Sequence, residues 1–134
     1  MFKKGFTLIE LLIVIAIIGI LAAVILSSLN DARDQGTEAK IKTEMDAIAK
    51  RAAIEHNQQL TYDPVCGSNS IATSTVILNI INSINSLASS TVRCNSDTDA
   101  FAVSVPVNAG HWCVDSEGSK KTIGSALAAE LACP

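Results

Sequence analysis

The chain has 134 residues, 49% of them hydrophobic, 4% aromatic and 17% charged, and its 10 basic and 13 acidic side chains give a net charge of −3. That balance excludes a basic nucleic-acid footprint. Most of the apolar content sits at the N-terminus, and the rest, about a hundred residues, suffices for one small core but not two.

In chain order, Met1-Phe2-Lys3-Lys4-Gly5 is a short basic lead-in, followed by Phe6-Thr7-Leu8-Ile9-Glu10 and an apolar run from Leu11 to Leu26. Glu10 is the only charge between Lys4 and Asp31. An acidic side chain at the centre of a membrane helix costs roughly 2.5 to 3.5 kcal/mol on insertion scales, so a lone carboxylate there signals function. A secretory signal carries its cleavage site after the apolar region and loses that region. Here the small residue, Gly5, precedes the run, so the anchor stays on the mature chain. A helix from Phe6 to Leu29 rises roughly 36 Å, enough to cross a hydrocarbon core of about 30 Å. Lys3 and Lys4 place the lead-in in the cytoplasm and the bulk of the chain outside.

The helical pattern continues past the membrane boundary. Ile41, Met45, Ile48 and Ala52 recur at i, i+4, i+7 and i+11, while Glu38 with Lys42 and Asp46 with Lys50 form i,i+4 pairs. One helix is therefore predicted from Phe6 to about Asn57, with Ser27-Ser28, Asn30-Asp31 and Gly36 as its weak points. Asp63-Pro64 ends it and opens a polar loop through Ser74. A short helix with Ser or Thr caps follows over Val76 to Leu87. Phe101, Val103 and Val105 alternate with Ala102 and Ser104, Trp112 and Val114 flank Cys113, and Ser116-Glu117-Gly118-Ser119 turns the chain into Lys120 to Ile123. These strands predict a small antiparallel sheet against the lower half of the long helix.

Cys66, Cys94, Cys113 and Cys133 all follow the anchor, an even number in an oxidising compartment. No Cys-x-x-Cys pair suggests zinc. Three connectivities are open; sequential pairing, Cys66 with Cys94 and Cys113 with Cys133, is taken first.

Lys3-Lys4-Gly5 followed by Phe6-Thr7-Leu8-Ile9-Glu10 resembles the class III leader and N-terminus of type IV prepilins and of the related pseudopilins of type II secretion and competence systems. The resemblance covers about Lys3 to Ala23. It implies that a prepilin peptidase cuts between Gly5 and Phe6 and methylates the new Phe6 amine. It also implies that Glu10 meets the amine of a neighbouring subunit as the apolar helices pack into a filament. The implied fold is α+β, the pilin ladle of a long helix and a small sheet. Many type IV pilins have a Pro at the position of Ser27; this chain keeps Gly19 but has no Pro in its anchor.

The expected organisation is a cleaved leader over 1–5, an apolar transmembrane and assembly helix over 6–29, the amphipathic half of that helix over 30–57, and a disulfide-bonded head over 58–134. The expected function is that of a structural subunit of a type IV pilus, a homo-oligomer with no enzymatic activity, cofactor, metal or nucleic-acid ligand. Its other partners are the prepilin peptidase and the inner-membrane assembly machinery. It is expected as a single-pass protein of the cytoplasmic membrane before assembly and in an extracellular fibre afterwards. A pseudopilin is the alternative, and a monomeric tethered ectodomain that binds a ligand is a different class. His56 and His111 read as surface or packing residues, Asp97 and Asp99 as a solvated loop lacking the glycine and distal Glu of a calcium loop, and Trp112 as core against a bridge.

Overall fold

The computed structural model describes residues 5–67, 72–88 and 91–134. Its elements are α1 (Leu8–Gln59), α2 (Asp63–Cys66), α3 (Thr75–Leu87) and strands β1 (Arg93–Ser96), β2 (Phe101–Val107), β3 (Gly110–Asp115) and β4 (Lys120–Ile123). The chain forms two compact units, one through Gly36 and one from Thr37.

The first unit is helix alone. Its large apolar side chains from Leu8 to Leu29 are all exposed, from 46% at Leu29 to 81% at Leu8. α1 is the one described helix long and apolar enough to cross a membrane. Helical backbone continues through Ser27-Ser28, Asn30-Asp31 and Gly36, the positions read as weak.

In the second unit the remainder of α1 lies on an antiparallel sheet of order β1-β2-β3-β4. The 3.6-residue period has the predicted result, since Ile41, Met45, Ile48 and Ala52 are buried. They pack with Val65 of α2, Ile77, Ile81 and Ile84 of α3, and the inward strand residues Phe101, Val103, Val105 and Val114. Both i,i+4 pairs form, with Lys42 2.6 Å from Glu38 and Lys50 2.7 Å from Asp46. They also reach the sheet: Lys42 lies 4.8 Å above the Trp112 ring, and Lys120 joins Asp46.

Several sequence expectations change. Asp63-Pro64 does not open a plain loop; it starts the single turn of α2, because a proline lacking its N–H is tolerated at a helix start. Of the rest of that predicted loop, residues 68–71 lie outside the described residues. Ser74 precedes α3 without making a cap bond; its hydroxyl donates to Glu55 instead, at 2.8 Å. Trp112 is only half-buried, beneath Lys42.

The alternation in β2 does not mean one wet face. From Phe101 to Val105 every residue is buried, because the tail covers the second side of the sheet. Ala102, Cys113, Ile123, Leu127 and Cys133 form that second core. Buried Ser104 accepts the Leu127 N–H at 3.2 Å, and buried Asp115 accepts the N–H groups of Glu117, Ser119 and Cys133 at 3.1, 2.8 and 2.8 Å. The bridges join Cys66 to Cys94 and Cys113 to Cys133. One glycine is dictated by space. Gly110 has φ +132°, and a Cβ there would come within 2.6 Å of the Ile123 carbonyl oxygen.

Candidate processing and assembly site

The start of α1 is built around a threonine and a glutamate three residues apart. The Thr7 hydroxyl donates to Glu10 Oε2 at 2.7 Å, the Thr7 N–H donates to the same oxygen at 2.8 Å, and the Glu10 N–H donates to Thr7 Oγ1 at 3.3 Å. These are the reciprocal bonds of a capping box, and they satisfy two of the N–H groups that a helix start leaves without intrahelical partners. The first intrahelical bond follows from the Leu11 N–H to the Thr7 carbonyl at 3.3 Å.

Thr7 is the residue that sequence reasoning passed over. The signal was available, because Thr-x-x-Glu before an apolar run is the capping-box pattern. Glu10 thus has two jobs: it caps its own helix with one oxygen, and it carries a charge on an otherwise apolar segment.

Phe6 is 88% exposed, and a side chain placed on Gly5 would meet nothing within 4 Å. Nothing in the described chain shields the Gly5–Phe6 peptide bond from an enzyme. While that bond is intact the Phe6 nitrogen is an uncharged amide; only cleavage makes it an amine that can pair with a carboxylate. Gly5, Phe6 and Glu10 therefore lie within one short stretch, while Lys3 and Lys4 lie outside the described residues.

The other residues singled out from sequence form no comparable site. His56 stacks on Tyr62 with ring centroids 4.2 Å apart, and Tyr62 lies against Phe101 at 5.1 Å. Asp97 Oδ1 accepts the N–H groups of Asp99 and Ala100, both at 2.8 Å, and so organises the β1–β2 turn. No group of three or more potential metal ligands occurs among the described residues.

Glu55 is the buried carboxylate that sequence did not single out. It is 6% exposed and accepts bonds from Ser74, Arg51 and Gln59, at 2.8, 2.9 and 3.2 Å. The Ser74 hydroxyl, then Arg51 and Gln59, hold its carboxyl below the usual glutamate range against the opposing effect of burial. It ties the end of α1 to the entrance of α3. Three donors fix it in place.

A family model described as the prokaryotic N-terminal methylation motif matches residues 1–26. The type IV narrow pilus major component PilA5 of Thermus thermophilus is 38% identical over 109 residues, which are 75% of this chain and 86% of that protein. The fimbrial protein EcpC of Eikenella corrodens is 67% identical over 39 residues, 28% of this chain and 26% of that protein. No solved structure matches. The capping box and most of the exposed apolar helix fall within the matched motif, and the PilA5 match spans most of both chains: the chain belongs to the type IV pilin family.

Proposed function

We propose that this chain is a non-catalytic structural subunit that polymerises into a type IV pilus through its N-terminal helix. The precursor sits in the cytoplasmic membrane with residues 1–5 inside and the head outside. Prepilin peptidase hydrolyses the Gly5–Phe6 bond with one water, leaving a carboxylate on the leader and an amine on Phe6, and that amine then takes a methyl group from a sulfonium methyl donor, which leaves as the neutral thioether while the amine releases one proton. The methylated amine still takes up a proton, so it remains a cation.

The observation that carries this reading is the exposed helix start. An uncovered surface runs from Leu8 to Leu29, apolar except at Ser27-Ser28 and at one carboxylate near its start, and within the subunit that carboxylate is held by Thr7. In a monomer the surface is covered by lipid. In a fibre it is covered by other copies, and a carboxylate leaving lipid for a protein core requires a counter-charge. The Phe6 amine of a neighbour supplies one. Phe6 and Glu10 are four residues apart in sequence, so pairing between parallel helices sets a fixed axial stagger between neighbours. Such a pair fixes register more than it adds stability.

PilA5 is named as a major pilus component, which favours a pilus over the short fibre of a pseudopilin. Electron micrographs of fibres sheared from cells, stained with antibody to the head, test the proposal. Long labelled fibres are expected from wild type, and few or none from Glu10→Gln, which should still insert in the membrane. Wild-type cells whose fibres never contain the chain would refute it.

A further inference from the structure

Lys40, Lys42, Lys50, Arg51 and Lys120 each meet a carboxylate, whereas Arg33, Arg93 and Lys121 stand in no ion pair among the described residues. The helix explains why Arg33 has none. Side chains three and four residues apart face one another, and at those positions Arg33 has Leu29, Asn30, Gly36 and Thr37, all uncharged. Asp31 and Asp34 are two residues and one residue away and do not face it. Arg33 is exposed and follows the exposed Ile25 and Leu29 at intervals of four, so it continues an apolar stripe of the anchor.

Distance along α1 gives this charge its surroundings. From Leu8 to Leu29 the helix rises about 32 Å, which matches a hydrocarbon core of about 30 Å. Arg33 lies about 6 Å beyond Leu29, and the headgroup layer on each side of the core is roughly 5 to 8 Å deep. With Leu29 at the edge of the hydrocarbon, Arg33 therefore stands at the level of the lipid phosphates. An arginine stem lies along apolar surface while its head stays in a polar layer, and the guanidinium fork matches two oxygens of a phosphate. At the same depth Glu10 is about 28 Å inward of Leu29, close to the opposite edge of the hydrocarbon. The Gly5–Phe6 bond then falls just beyond that edge, in the inner headgroup layer.

We propose that Arg33 binds the phosphodiester of a phospholipid on the outer face of the cytoplasmic membrane and so sets the depth at which the precursor presents Gly5–Phe6 for cleavage. The inference rests on the membrane-bound precursor of the reading above. Lipid is favoured over the carboxylate of a second copy because Arg33 continues the very stripe that lipid covers and lies at phosphate level by helix length alone. Its acidic neighbours fit the same layer. A zwitterionic headgroup carries an ammonium beside its phosphate, so Asp31 and Asp34 find cations where Arg33 finds an anion.

The test uses the full precursor in vesicles of phosphatidylethanolamine and phosphatidylglycerol, with carbon-13 in the guanidinium groups of Arg33, Arg51 and Arg93. Solid-state NMR should show one guanidinium carbon dephased by lipid phosphorus, and Arg33→Lys, which keeps the other two arginines, should abolish that dephasing. Purified prepilin peptidase added to the same vesicles should cut Arg33→Lys like wild type, since lysine also binds phosphate as a point charge. It should cut Arg33→Glu roughly tenfold more slowly or worse, because a reacting bond held about 1 Å out of place can lose more than that. Arg93→Glu, the same charge change at an exposed position of the head, should be cut normally. An inserted wild-type chain without phosphorus contact overturns the proposal, as does contact that survives in Arg33→Lys or normal cutting of Arg33→Glu. Any of these beside an inserted precursor leaves the membrane-bound reading intact; a wild-type chain that does not enter the vesicles removes both.

Discussion

Replacing Cys113 and Cys133 together by Ala should release the tail and cost the head roughly 3 kcal/mol in the chain-entropy model, given a separation of 20 residues. The non-covalent contacts are too few to hold the tail. Once the bridge is gone it keeps the bonds from the Leu127 N–H to Ser104 and from the residue 133 N–H to Asp115, and those from the Asn95 amide to the Ala128 and Glu130 carbonyls. Each contributes about 1 kcal/mol net, whereas ordering the backbone costs about 1 kcal/mol or more for every residue after Ile123. The tail should detach and wet Ala102 and Ser104. At about 4 to 8 °C per kcal/mol for a domain of this size, Tm should fall by roughly 12 to 24 °C. Trp112, the sole tryptophan, reports the transition by fluorescence in detergent-solubilised full chain, and hydrogen exchange at the Leu127 amide reports the tail. A Tm within about 3 °C of wild type, too small a change for the loss worked out above, together with a protected Leu127 amide, would refute the reasoning.

Glu55→Gln should lower head stability by roughly 1 to 3 kcal/mol in chemical denaturation at pH 7, because it removes the charge that Ser74, Arg51 and Gln59 surround. The Glu55 carboxyl is held below its unfolded value, so its contribution is complete above the unfolded glutamate pKa of about 4.3 and is lost as pH falls through the folded value. Wild type should therefore lose more stability than the variant on acidification below that point. Thr7→Val removes the hydroxyl from the capping box, a loss of about 1 kcal/mol at a helix start, and should slow entry into fibres less than Glu10→Gln does when the two are compared in pulse-chase assembly. Gly5→Val should leave uncut, inserted precursor, read by intact mass; the open space around Gly5 means a block cannot be ascribed to misfolding of the described chain.

The parts of the fold legible in sequence were those set by one strong period. The buried face of α1 followed from Ile41, Met45, Ile48 and Ala52, and its ion pairs from their spacing. β1 was missed because Arg-Cys-Asn-Ser has no apolar alternation; Cys94 faces inward to its bridge while Arg93 and Asn95 flank it. Alternation in β2 gave its inner face but not the cover on the outer one, since the tail that provides it is aligned by a disulfide and by Asp115. Ser74 carries the residue type of a cap, yet a buried carboxylate on α1 competes for its hydroxyl. At the candidate site, Glu10 was legible as a misplaced charge. Its partner Thr7 was legible only when the same glutamate was also read as the third residue of a helix.

The most direct measurement is the intact mass of subunits taken from fibres sheared off wild-type cells. The proposed role predicts a chain beginning at Phe6, heavier by one CH2 (a methyl group in place of one amine hydrogen) and lighter by the four hydrogens lost in forming two bridges. A fibre subunit that retains Met1 to Gly5, or that begins beyond Leu26 and so lacks the apolar helix, would contradict assembly through the N-terminal segment.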